Sequence, residues 1–274
     1  MTRARVTTMA LVALVVVIYG AVVTAYATSG GDPSTTDTRQ PSANGVLVYL
    51  DLDGLDGDTY SLDTRVSVYP GKDHLDSDGR LDRAMTVSVT PAASTDTMTF
   101  PAGTRAGSRP LTLYIDGDIH RWPFDTYNAT GLQVRVTSDG SVVPAEVVVT
   151  NLMTSWAVHQ HDVDSSATGN AITISAARTP AVIGFALALC VVLLVLPTLT
   201  LFVAISTLRR RKQFLPPIVT WFAVMLFAVI PLRNLFPGNP PIGSWVDYTV
   251  VLWVVVGLTV ALTLYITAWW KHGQ

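Results

Sequence analysis

The chain has a single cysteine, Cys190, and a single glutamate, Glu146, among 274 residues. One cysteine excludes an intramolecular disulfide, so a folded domain must rely on its own apolar core. Cys190 lies inside an apolar run, where a thiol packs as a small hydrophobe. Catalytic patterns are missing as well. The sequence has no G-x-S-x-G and no paired His/Cys or Ser/His context, and Glu146 is its one glutamate. Charge is also scarce: 14% of residues are Asp, Glu, Lys or Arg, against about 25% in an ordinary soluble domain.

What replaces the charge is hydrophobicity, 49% of the chain, concentrated in four runs at 9–27, 180–207, 215–232 and 247–270. Each is near the ~20 residues that a helix needs to cross a bilayer, and a span in lipid must satisfy its backbone internally. Four transmembrane helices are therefore expected. Arg3 and Arg5 precede the first run, Arg209, Arg210, Arg211 and Lys212 separate the second from the third, and Lys271 follows the fourth. Such clusters stay on the cytoplasmic side. The expected topology is a multi-pass plasma-membrane protein. Residues 1–8, 208–214 and 271–274 are inside, and 28–178 and 233–246 are outside. Pro197 and Pro231 lie within or at the end of spans and are expected to kink them. The first run, with Ala25-Tyr26-Ala27 at its end, also resembles a cleavable signal peptide. Its length and the interfacial position of Tyr26 favour an anchor.

Residues 28–178 hold ten basic and nineteen acidic side chains, a net of −9, whereas the rest of the chain is +7. A −9 domain repels nucleic acid and other polyanions. Residues 28–44 read as a Gly/Ser/Thr/Pro tether. From 45 to 178 the period is two. Leu111, Leu113 and Ile115 alternate with Thr112 and Tyr114, and Leu132, Val134 and Val136 alternate with Gln133, Arg135 and Thr137. About nine short strands separated by turns such as Pro70-Gly71-Lys72 and Asp139-Gly140 predict an all-β, two-sheet sandwich. The fold class is mixed: an extracytoplasmic sandwich, with one helix before it and three after.

Four constellations stand out. Arg121-Trp122-Pro123-Phe124-Asp125-Thr126-Tyr127 places two aromatics around a proline, a setting that favours a cis bond and a fixed corner. Asp125 is expected to accept hydrogen bonds from turn amides, and a partner-contacting loop is the other reading. Asp51, Asp53, Asp56 and Asp58 alternate around glycines like a calcium loop, without the full spacing or a closing Glu; an acidic turn between strands is the simpler reading. Asp73, Asp76, Asp78 and Asp82 form a weaker cluster of that kind. His159 and His161, followed by Asp162, share one strand face, as zinc or copper ligands do. Exposed strand-end histidines are the alternative, and no cofactor is expected overall. Arg233 and Asp247 bracket the outer loop and are expected to pair. No charge lies at midspan, which argues against an ion-coupled transporter.

The Trp-Pro-Phe-Asp-x-Tyr stretch, the preceding Asp116-Gly117-Asp118, Phe100-Pro101-Ala102-Gly103 and the outer loop from Arg233 to Gly243 with Asp247 resemble an uncharacterised membrane protein family of actinobacteria and fungi, domain of unknown function 4436. The resemblance covers nearly the whole chain and implies architecture, with no known activity. The Pro-Phe-Asp core is also similar to the Cys-loop region of pentameric ligand-gated channels. Those channels carry four helices after the sandwich, whereas three are expected here, and their paired cysteines are absent. The leading expectation is a non-enzymatic envelope binding or assembly protein, with membrane lipids and a protein or envelope component as partners. An oligomer is compatible with this expectation. The alternatives are a ligand-gated channel or sensor and a metal-dependent envelope enzyme.

Overall fold

A computed structural model of the chain describes residues 3–29, 39–93, 97–163, 171–210, 213 and 215–272. Most of the tether, the 164–170 stretch and the Arg211–Lys212 part of the basic loop lie outside them. The chain divides into two compact units. Met1–Ser29, Ile119–Phe124 and Pro180–Gln274 form a helical unit, and Gly30–Asp118 with Asp125–Thr179 form a β unit.

The β unit contains eleven strands among the described residues: β1 (Val46–Asp56), β2 (Ser61–Pro70), β3 (Met85–Thr90), β4 (Thr97–Phe100), β5 (Ser108–Tyr114), β6 (Asp116–Gly117), β7 (Thr126–Ser138), β8 (Ser141–Val143), β9 (Ala145–Asn151), β10 (Trp156–Val163) and β11 (Ala171–Arg178). They form two sheets, ordered β5-β2-β1-β9 and β10-β11-β7-β3-β4, with β6 and β8 paired to β7. Neighbours are antiparallel except β1 and β9, which run parallel. This is the sandwich-like arrangement that the period-two pattern predicts. Along β2, Leu62, Thr64, Val66 and Val68 are buried while Asp63 and Arg65 are exposed. Met85, Val87 and Val89 supply the same inward row from β3. The two strands that the pattern leaves out, β6 and β8, have two and three residues, too few for alternation to register.

The acidic stretch is the main difference in this unit. Asp51, Asp53 and Asp56 belong to a strand, because a register shift between Leu52 and Gly54 lets β1 continue opposite β2. The turn follows at 57–60.

The helical unit holds α1 (Arg3–Ser29), α2 (Pro180–Leu208), α3 (Pro217–Arg233) and α4 (Leu252–His272), with one π-helical turn at Asp247–Val251 leading into α4. Two helices, Pro180–Leu208 and Asp247–Lys271, are long and apolar enough to cross a membrane. Pro217–Arg233, with 17 residues, reaches about 25 Å at the helical rise, at the lower limit for crossing a hydrocarbon core. Val15–Ser29 of α1 is likewise a shorter apolar helix.

Packing within this unit is specific. The Ser29 hydroxyl donates to the Ala25 carbonyl and accepts the Ala181 N–H at 2.7 Å, satisfying an amide that the first turn of α2 leaves free. Pro197 of α2 lies where a Cβ on Gly257 of α4 would come within 2.8 Å. The glycine is what allows that approach. Near the other end, the Tyr265 hydroxyl accepts the Leu215 N–H and donates to the Leu215 carbonyl, each at 3.0 Å.

Candidate functional site

The Trp-Pro-Phe-Asp motif is divided by the fold. Ile119–Phe124 clusters with the helices, and the β unit resumes at Asp125. The Trp122–Pro123 bond is cis. Trp122 is fully buried in an apolar cluster with Ala186, Leu193, Val229 and Phe236. Its ring meets Phe236 edge-on at 4.9 Å, and its indole N–H donates to the Pro237 carbonyl at 3.1 Å. A buried indole needs such an acceptor. Phe124 packs edge-on against Trp245 at 6.1 Å.

Asp125 does something different from the turn-capping role expected of it: it holds Arg178. The guanidinium donates three hydrogen bonds to the carboxylate, from Nε at 3.1 and 3.2 Å and from an Nη at 2.9 Å. The side chains are 0% and 6% exposed. The guanidinium also lies over the Trp156 ring, 4.0 Å from its centroid, and Trp156 meets Tyr127 edge-on at 5.4 Å. Burial of two charges is tolerated only when they are paired and hydrogen-bonded, and here both conditions hold. Burial, reinforced by the nearby Asp125 carboxylate and only partly offset by Arg178, pushes the Tyr127 hydroxyl well above its ordinary value. Tyr127 Oη and Thr179 Oγ1 are buried without a partner in hydrogen-bond geometry. The arrangement is a buried ion pair with one face of the guanidinium covered by Trp156.

Period-two reading carries the signal for this partner. Ile172, Ile174, Ala176 and Arg178 are the successive buried positions of β11. An arginine in phase with an inward row demands a buried acid, and extending the strand two residues past 176 would have located it.

Arg233 and Asp247 pair as expected. Arg233 Nε and an Nη donate to the carboxylate at 3.2 and 3.0 Å, and the Nη also donates to the Pro240 carbonyl at 2.8 Å. Asp247 further accepts the Gly243 N–H at 2.9 Å and the Ser244 hydroxyl at 3.4 Å. The pair ties both ends of the 233–246 loop to its middle.

The acidic residues are dispersed. Asp51 accepts from Ser67 at 3.4 Å, Asp53 pairs with Arg65 at 3.0 Å, and Asp56 accepts the Asp58 amide at 2.8 Å. Asp76 accepts the amides of Asp78 and Arg80, and Asp82 lies 3.8 Å from Arg83. His159 and His161 are exposed on β10, opposite Ser175 and Thr173. The Asp162 side chain lies outside those described. Among the described residues, no three His, Cys, Asp or Glu side chains are grouped to hold a metal ion.

Residues 36–176 match the sequence profile of a domain of unknown function, DUF4436, and residues 178–272 match that of a second, DUF8686. No curated protein matches the chain. The first match takes in every strand from β1 through most of β11, more than half of the sequence, and the chain belongs to the DUF4436 family.

Proposed function

We propose that the protein is a non-enzymatic, multi-pass plasma-membrane protein whose β unit binds a protein or envelope component outside the cell. Its four apolar segments cross the bilayer, both termini are cytoplasmic, and residues 28–178 are exported. The observation that supports this reading is the burial of the motif's charge in an ion pair. Asp125 and Arg178 neutralise each other through three hydrogen bonds, so the motif serves architecture and leaves recognition to the acidic outer surface. The −9 balance of residues 28–178 selects neutral or basic partners and rejects nucleic acid. The flanking basic clusters contact anionic lipid on the inner side.

The test replaces the β unit in the full chain and compares cross-linked neighbours and envelope phenotype with the unaltered protein. If both are unchanged, envelope binding through this unit is wrong. Sidedness is read separately by placing a cysteine at Ile242, which is 91% exposed, in a Cys190→Ser background. An impermeant thiol reagent added to intact cells labels it if the 233–246 loop is outside.

A second reading, a ligand-gated channel or sensor, is favoured by the membership of Ile119–Phe124 in the helical unit. A segment continuous with β7 is thereby built into the helix cluster. It requires a symmetric ring and ligand-dependent conductance. Native mass spectrometry of the protein extracted with its lipids decides it: a strict monomer rules the channel out.

A further inference from the structure

β9 ends its sheet: β1 pairs with one edge, and among the described residues no strand pairs with the other. The core is incomplete at this edge. Val147 and Val149 stand opposite Val48 and Leu50 in register and so share their face. Val48 and Leu50 are 0% exposed, but Val147 and Val149 are only half-buried. Beside them lies a cavity of about 600 Å³, lined by Ala145 to Val149 of β9 together with Arg39, Gln160 and Ile172. Arg39 and Glu146 pair at 3.0 Å at its rim. Exposed strand edges are ordinarily blunted by bulges, prolines or inward charges. The apolar run Val147-Val148-Val149 has none of these within it.

We propose that this edge is a docking site for an extended polypeptide segment of a partner protein. The segment adds to the sheet alongside β9, with apolar side chains at alternate positions and basic ones between them. It rests on the envelope-binding reading and names the partner class and the site. Four observations select the occupant. The lining is a strand backbone above two half-covered valines, which a strand with alternating apolar residues completes. Five residues of β9 give a track of about 16 Å. The −9 balance of residues 28–178 attracts a basic segment and disfavours a second copy of the same unit. The chain's own neighbouring stretches, 30–38 and 164–170, have no Val, Ile, Leu, Met or aromatic residue with which to cover the valines.

The test uses the full chain in lipid nanodiscs and a heptapeptide of alternating lysine and valine. Hydrogen exchange of residues 145–151 is followed together with the Kd. The expected result is slowed exchange in β9 and binding at least tenfold tighter than that of the glutamate–valine counterpart. N-methylation of the peptide amides that face β9 weakens binding at least tenfold, and Val149→Lys in the protein does the same. The N-methyl control leaves the protein unaltered, so it decides the matter even if Val149→Lys disturbs folding. No protection of β9 at millimolar peptide, or equal binding by the N-methylated or acidic peptide, overturns the proposal. Concentration-dependent protection without peptide also overturns it, because a second copy then holds the edge. If replacing the β unit abolishes the envelope phenotype while β9 stays unprotected, envelope binding stands and the edge assignment falls.

Discussion

Asp125→Ala is the sharpest perturbation of the β unit. It removes from Arg178, whose side chain is 6% exposed in the native pair, the carboxylate that accepts three charge-assisted hydrogen bonds from it. Its stacking on Trp156 at 4.0 Å does not replace a counter-ion. Breaking a buried pair from one side costs about 3–5 kcal/mol, with little discount for solvent screening because the two side chains are 6% and 0% exposed. In a domain of this size 1 kcal/mol moves the melting temperature by about 3 °C, so the β unit melts roughly 10–15 °C lower. A chain with two units does not unfold in one transition. The assay is therefore hydrogen exchange of peptides from β7 and β11 in the nanodisc-embedded protein, measured against temperature. The double replacement Asp125→Leu with Arg178→Met removes both charges and recovers most of the loss, since apolar substitutes for a buried pair are often neutral or better. Arg178→Lys falls between, because an ammonium reproduces neither the two-nitrogen contact nor the flat stacking. The reasoning is refuted if Asp125→Ala costs under about 1 kcal/mol, as an exposed pair would, or if the double variant is no better than the single ones.

Tyr127→Phe removes a buried hydroxyl that lies beside the Asp125 carboxylate without reaching hydrogen-bond geometry, so the variant stays within about 1 kcal/mol of the parent; a larger loss in the same exchange assay would reveal a strong partner for Oη. The raised Tyr127 ionisation has a sign that can be checked. The folded state keeps this proton where the unfolded chain loses it, so the stabilisation is intact below the ordinary tyrosine value near 10 and declines as pH rises past it. Tyr127→Phe removes that part of the decline. In the helical unit, Trp122→Ala empties a fully buried site and frees the Pro237 carbonyl; the expected cost is about 3–5 kcal/mol, read as faster proteolysis within 233–246. Gly257→Ala drives a Cβ to 2.8 Å from the Pro197 ring, which cannot swing aside. The overpacking costs about 1–3 kcal/mol and lowers thermal stability in detergent, whereas Ala at Gly20, where nothing lies within 4 Å, does not.

The two-sheet β unit was legible because its inward rows alternate over five or more residues, as in Leu62 to Val68. Short strands such as β6 were not, since two residues carry no period. Composition misplaced the acidic stretch. Asp and Gly are turn residues by propensity, yet pairing with β2 outweighs propensity, and Asp53 and Asp56 become part of a strand. The Arg233–Asp247 pair was visible because both charges flank one loop in an apolar region with few other partners. The Asp125–Arg178 pair was hidden by 53 residues of separation, although each half carries a local mark: an acid embedded among aromatics, and an arginine in phase with a buried row. Charges at inward positions of an otherwise apolar period must be matched with one another, so scanning for such misfits and pairing them by sign recovers contacts that propensity alone does not reach. The β9 edge is the opposite case. Its Val147-Val148-Val149 run reads as an ordinary core strand, and only the sheet order, which leaves it with one neighbour, turns two of those valines from core residues into a surface that needs a partner.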